Sequence, residues 1–394
     1  MQDIDVEAHI ERTQNGSESS PSSIARDYWP TNGWRNSTPE ERGMDSSKLE
    51  EMLGRIEQED WSVSFIIVIK DGYLVFEHFF HRLYRPLGKI DLFSSTRSVT
   101  AAVFGIAVEQ GYINNLSQSV LDFFPDRTID NMNSWKESIT LENLLTMTSG
   151  FGWDEWTTVY GSSDNSYTQM RISRDWTQYI LDLPMDTEPG TAWNFCGGDS
   201  QLLTAIIENV TDSRASDFAE EHLFTPMNIT DFRWLTGAGG VTNGAGGLQM
   251  TPHDMAKYGF LYLNNGTWDG NQIIPEEWVQ RSLEPQVEIT EEGSYGVDSH
   301  YGYHWWMHDS SGVCFTHRLI AGRNIFIDPE HDIVVVMACS TPQDYYPQED
   351  LLYEYILGSL IEGVPLTLPL ELLIVVGGVA AVVVVLFGVR VKRG

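Results

Sequence analysis

Basic residues are scarce in this chain: 24 lysines and arginines stand against 56 aspartates and glutamates in 394 residues, for a formal net charge of −32. With no basic footprint to neutralise phosphates, nucleic acid is excluded as the partner class. Cysteine is scarcer still. The three present (Cys196, Cys314, Cys339) fit no zinc spacing and could form at most one disulfide, so no cysteine framework holds the fold. The histidines lack a metal-binding pattern such as H-E-x-x-H, and neither a metal nor another cofactor is expected. There is no internal repeat, and the opening MQDIDVEAHIERTQNG has no apolar signal region. The expectation is therefore a true start further upstream, or insertion by the tail alone.

Apolar residues make up 42% of the chain, with 13 Trp, 16 Tyr and 17 Phe, enough for a large core and unlike a disordered sequence. One long hydrophobic run occurs. From Leu372 to Val389 the chain reads LLIVVGGVAAVVVVLFGV, about 18 uncharged residues and enough to cross a bilayer. Arg390, Lys392 and Arg393 follow it, while Glu362 and Glu371 precede it. The positive-inside bias predicts a cytoplasmic tail and a large domain outside. Sequons at Asn15, Asn36, Asn115, Asn209, Asn228 and Asn265 agree with that side.

Residues 1–33 read as a flexible polar leader. A helix is expected after Ser46 or Ser47 acting as cap, then a hairpin in SFIIVIKDGYLVFEHFF about Asp71-Gly72. The helix after Ser94 should stop at Gly111. Helical stretches fill about 112–300, and strands return in VCFTHRLI, NIFIDP and HDIVVVMAC. Strands at both ends with helices between predict an α/β (α+β) domain. Its antiparallel sheet would come from the two ends, flanked by helices, with an inserted helical lobe. The expected divisions are 34–362 for the domain, 363–371 for a linker, 372–389 for the transmembrane helix and 390–394 for the cytoplasmic tail.

FSSTRS, at Phe93–Ser98, sets a serine at the mouth of a helix with a basic residue three positions on. Alone, such a serine is most often a helix cap. Six stretches change its meaning: FSSTRSVTAAVFGIAVEQGYI, ITLENLLTMTSG, PGTAWNFCGGDSQLLTAIIENVT, LQMTPHDMAKYGFLYLNNGTW, YGYHWW and NIFIDPEHDIVVV. In this order, over about residues 34–360, the chain resembles the serine β-lactamase-like family: class C β-lactamases, penicillin-binding DD-peptidases, and related esterases and amide hydrolases. The resemblance implies a β-lactamase/transpeptidase-like fold and a cleft where three motifs meet. The S-x-x-K motif falls on Ser94 and Arg97, and the Y-x-N motif on Phe195, Cys196 and Gly197. The K-T-G or H-x-G strand falls on His317, Arg318 and Leu319, followed by Ile320. Ser94, Arg97, Phe195 and His317 thus occupy catalytic positions, and Gly197, Arg318, Leu319 and Ile320 substrate-binding ones.

The serine is kept while its surroundings depart from the pattern. Guanidinium stays protonated to above pH ~12, so Arg97 cannot serve as the base that a neutral lysine would be. Phe195 has no hydroxyl to pass a proton. Leu319 replaces a glycine where the strand must approach substrate. General acid–base help contributes about 10²–10⁴-fold, so losing both carriers should leave little turnover of the family type. Two function classes follow: a hydrolase of amide or ester bonds through a Ser94 acyl-enzyme with reduced activity, or a non-catalytic module that binds a small-molecule, peptide-like or protein ligand. A Ser94–His317 dyad would keep the first alive, as would service by Asp199 or Cys196. Oligomeric state is not legible.

Overall fold

The structure is a computed structural model and describes residues 26–80, 88–289, 299–308, 312–316, 322–339 and 346–361. An eight-stranded antiparallel sheet runs through it. In chain order its strands are β1 (Val63–Lys70), β2 (Tyr73–Phe79), β3 (Val287–Ile289), β4 (Ser299–Tyr301), β5 (Trp306–His308), β6 (Cys314–Phe315), β7 (Arg323–Asp328) and β8 (Ile333–Cys339). The spatial order is β2-β1-β8-β7-β6-β5-β4-β3, so the first hairpin and the last strands do join across the chain, as expected. β1 meets β8 from Val63 opposite Cys339 to Lys70 opposite Ile333.

Both hairpin turns follow from local chemistry. Asp71 and Gly72 take φ of 54° and 83°, the left-handed pair that a tight two-residue turn requires, and Lys70 lies opposite Tyr73. Asp328 and Ile333 close the other turn.

All eight residues of β1 are buried, because the sheet is covered on both faces. Phe65, Ile67, Ile69, Val334 and Val336 pack into the larger core with the helical lobe. Ile66, Val68, Val335 and Met337 face a second layer, made with Leu49, Met52 and Ile56 of α1 (Ser46–Gln58) and Leu351, Leu352 and Ile356 of the C-terminal helical segment. The cap of α1 is Asp45, whose side chain accepts from the Ser47 amide, and not Ser46 or Ser47. Asp45 wins because it is the residue with extended backbone just before the first helical turn.

Part of the expected leader is tied to the domain. Arg26, assigned to the leader, is clamped by Asp332 at 2.5 and 2.7 Å and lies over the Phe260 ring at 4.7 Å. The run 372–389 and its flanks lie outside the described residues. Among the described residues no helix is long and apolar enough to cross a membrane.

The lobe is organised by α2 (Thr96–Glu109) and α3 (Gly197–Thr211), which pack on each other, with α4 (Pro252–Leu263) bridging to the sheet. α2 is buried along nearly its whole length and ends as expected, with Gly111 at φ 80°. It passes α5 (Glu276–Leu283) so closely that a Cβ at Gly105 would fall within the Trp278 indole. Gly105→Ala should therefore lower stability by ~1–3 kcal/mol, against the ~1 kcal/mol that alanine gains in a helix. Urea unfolding of the variant checks the sign: a more stable protein would show that α5 can move aside.

Candidate active site at the start of α2

Ser94 stands in a short turn, Phe93–Ser95, that leads into α2. Phe93 takes φ 48°, which is costly for a bulky residue and recurs at functional sites. The turn is pinned from several sides. The Phe93 amide donates to Asp91 Oδ1 at 2.8 Å, Leu92 N donates to the Leu248 carbonyl at 2.8 Å, and the Arg323 guanidinium lies over the Phe93 ring at 4.4 Å. No side-chain cap closes the start of α2, so the plain capping role is not filled by this serine.

The two serines are sorted by burial. Ser95 is fully buried; its hydroxyl donates to the Arg323 carbonyl and accepts from Thr316 Oγ1, tying β6 and β7 to α2. Ser94 is only half-buried, at the positive end of a 14-residue helix. Of the pair, Ser94 is the one placed to meet a ligand.

One turn on, Arg97 is 2% exposed. Its Nη2 donates to Glu155 Oε1 at 2.5 Å, and its Cζ sits 3.9 Å from the centre of the Phe195 ring. Glu155 also accepts from the Tyr160 hydroxyl at 2.8 Å, Trp153 Nε1 at 2.9 Å and the Gly197 amide at 2.8 Å. Burial works against the Arg97 charge, but Glu155 outweighs it and holds the guanidinium above its ordinary pKa. Arg97 is thus a fixed cation and cannot receive the Ser94 proton. Tyr160 is half in solvent, yet its hydroxyl turns inward, and burial followed by the Glu155 charge raises its pKa.

The structure revises one expected role and narrows two others. Gly197, assigned to substrate, spends its amide on Glu155, and a Cβ there would lie 2.7 Å from Glu155 Oε2. Its physical task is to let the carboxylate in. Cys196 is buried, and that burial, with Asp199 beside it, pushes the thiol well above its usual value, which leaves a packing residue and no nucleophile. Asp199 is fully buried, and burial pushes it up to about 7 against the pull of Ser149, Cys196 and the Arg97 charge. Neither of its carboxyl oxygens closes a well-formed hydrogen bond. His317, Arg318, Leu319 and Ile320 lie outside the described residues.

Two members of the cluster had no signal in the motifs. Glu155 follows Trp153-Asp154 in a loop and becomes visible only once Arg97 needs a partner. His304, within YGYHWW, is buried behind α2, with Nδ1 3.1 Å from the Arg97 carbonyl and Nε2 3.1 Å from that of Leu144. Burial, together with the Arg97 charge, lowers its pKa to about 4, so the ring is neutral at pH 7. Nε2–H then donates to Leu144, while Nδ1 can accept from the Ser200 hydroxyl at 3.4 Å. A separate cavity of about 360 Å³, lined in part by Ile106, Gln110, His222 and Asp269, opens at the far end of α2.

Fold and site together define a serine-hydrolase-like scaffold with Ser94 at the mouth of α2. The sequence pattern of the Beta-lactamase family matches residues 55–356, and the chain belongs to that family. The 6-aminohexanoate-dimer hydrolase of Paenarthrobacter ureafaciens is 23% identical over 322 residues, covering 77% of this chain and 80% of that one. Among solved structures, EstCE1, a hydrolase with promiscuous acyltransferase activity, superposes with a TM-score of 0.64 at 12% identity, covering 81% of this chain and 98% of that one. The penicillin-binding protein from Bacillus halodurans does so at 0.58 and 16%, covering 77% and 99%. At these identities the superpositions establish the fold.

Two stability effects follow. Glu155→Ala leaves the Arg97 cation buried without its partner and should cost ~3–5 kcal/mol, whereas Arg97→Met with Glu155→Leu should cost less than that single change. Chemical denaturation of both variants checks the order. The second effect concerns pH. Between ~4 and 7 the folded Asp199 keeps a proton that the unfolded chain releases, so its contribution falls as pH rises. Between about 4 and ~6.5 the unfolded chain binds a proton that buried His304 refuses, so that contribution rises with pH. The two slopes oppose each other in wild type. Asp199→Asn removes the first, so its stability relative to wild type should climb by up to ~4 kcal/mol from pH 4 to pH 7. Melting curves across that range check it, and a pH-independent difference would refute it.

Proposed function

We propose that the domain is a family member whose amide or ester hydrolysis through a Ser94 acyl-enzyme is strongly reduced or lost, and whose cleft binds a small-molecule or peptide-like acyl ligand. One observation carries this reading: both proton-carrier positions are filled by groups that cannot carry one. Arg97 is locked to Glu155, and Phe195 lies flat against it. The names of the relatives, which cover a dimer hydrolase, an acyltransferring hydrolase and a penicillin-binding protein, support acyl compounds as the ligand class. In this reading residues 34–362 form the outer domain, 363–371 a linker and 372–389 a single membrane span, with 390–394 in the cytoplasm.

The strained Phe93 favours a second reading, in which Ser94 still attacks with His317 as base. Treating the full-length protein in detergent with a fluorophosphonate and mapping the adduct by mass separates the two. Ser94 of wild type should react at least ~10²-fold more slowly than in the Arg97→Lys, Phe195→Tyr, Leu319→Gly triple variant. Stoichiometric labelling of wild-type Ser94 that is lost in His317→Ala would establish the dyad and end the first reading.

A further inference from the structure

The sequons divide by how the fold treats their asparagines. Asn15 lies outside the described residues. Asn209 and Asn228 spend their side-chain amides on distant segments: Nδ2 of Asn209 donates to the Phe123 carbonyl at 3.0 Å, and Nδ2 of Asn228 to that of Thr31 at 3.1 Å. A sugar on either nitrogen would crowd the carbonyl it serves. Asn265 is half-buried in a turn at φ 50°, and its Thr267 hydroxyl donates to Gln272 Oε1 at 3.0 Å. Asn36 is exposed but bridges to Leu74 of β2, and its Thr38 hydroxyl accepts from the Glu41 amide at 3.3 Å.

Asn115 differs from these. It is exposed in the loop that follows Gly111 at the end of α2. Its Oδ1 accepts from the Ser117 amide at 3.1 Å and from the Ser117 hydroxyl at 2.6 Å, so the asparagine and the hydroxyl of its Asn-Leu-Ser triplet already lie side by side. A backbone N–H can be met only by the carboxamide oxygen, which fixes the orientation of this amide. Nδ2 is thereby turned away from Ser117 and donates to no group among the described residues. Ser94 stands at the opposite end of α2, whose 14 residues span ~21 Å, so a bulky group on Asn115 leaves the cleft open.

We propose that Asn115 is a glycosylation site, carrying an N-linked sugar on Nδ2. The inference rests on the reading of residues 34–362 as an outer domain and adds a modification to it. In the step, a glycosyltransferase brings an activated sugar whose anomeric carbon is bonded to a phosphate oxygen. Nδ2 forms a C–N bond to that carbon as the C–O bond breaks. The bonding pair leaves with the phosphate, and the proton lost from Nδ2 goes to a base of the transferase.

The test is peptide mapping by mass spectrometry of the full-length protein purified from its own cells. Protease added to intact and to permeabilised cells reports in parallel which side the domain faces. The peptide holding Asn115 should carry a sugar mass, and those holding Asn209 and Asn228 should be unmodified. Ser117→Ala should lose the sugar and Ser117→Thr, which keeps the hydroxyl, should retain it. Both variants should melt as wild type does, since Ser117 is exposed. Sugar at other sequons with Asn115 bare would overturn the site and leave the outer domain standing, as would a domain that is cut on intact cells yet bare throughout. A bare domain cut only after permeabilisation would overturn both.

Discussion

The buried pair of Arg97 and Glu155 is the constraint on which the rest of the site depends. Two opposite charges at 2% and 1% side-chain exposure are stable only if their lost hydration is replaced on nearly every side. Glu155 achieves this with donors from three parts of the chain: Arg97 on α2, Trp153 and Tyr160 on its own loop, and the Gly197 amide at the start of α3. Arg97 achieves it less fully. Its Nε and Nη1 are buried without partners, and the Phe195 ring covers one face of the guanidinium. Phenylalanine at that position is thus coupled to arginine: a ring face suits a weakly hydrated planar cation, and a phenol placed to hydrogen-bond a lysine has no purpose there.

The same pair explains why glycine stands at position 197. The Glu155 carboxylate comes so near that a side chain there would displace it, so the ion pair by itself requires glycine. His304 belongs to this support as well. Its Nε2–H donates to the Leu144 carbonyl and its Nδ1 can accept from the Ser200 hydroxyl, so the neutral ring links the segment carrying Leu144 to α3 beside the first turn of α2. Charge is therefore concentrated in one compensated pair, while the nearby titratable groups, Asp199 and His304, are both shifted toward their neutral forms.

How much of this could be read from the residues divides along physical lines. The sheet was legible because β1 and β8 are long β-branched runs with strong turns beside them, and because strands at both ends of a chain with helices between have few ways to pack. The positions of Ser94, Arg97 and Phe195 were legible because each sits in a stretch whose order along the chain is itself informative. Glu155 was not, since a carboxylate 58 residues from its partner has no periodicity to mark it. Nor was the division of labour between Ser94 and Ser95, which depends on Thr316 and Arg323 reaching the second hydroxyl across more than 200 residues. The tie between Arg26 and the domain was missed for a similar reason. A polar segment looks like a leader until its arginine finds Asp332 on a distant turn.

The backbone at Phe93 bears on what the cleft is still for. A left-handed φ at a phenylalanine costs about 1–3 kcal/mol, and nothing in the covalent chain demands it. Here it is held by Asp91, by the Leu248 carbonyl on the neighbouring residue and by Arg323 over the ring, so three separate elements over-determine the turn. If the protein had kept the fold only as a core, relaxing this turn would raise its stability without loss. The strain instead keeps Ser94 half-open at the helix mouth, one turn before the locked Arg97–Glu155 pair. A turn over-determined at such a cost is the mark of a site held for its geometry, which fits the proposal that the Ser94 cleft holds an acyl ligand.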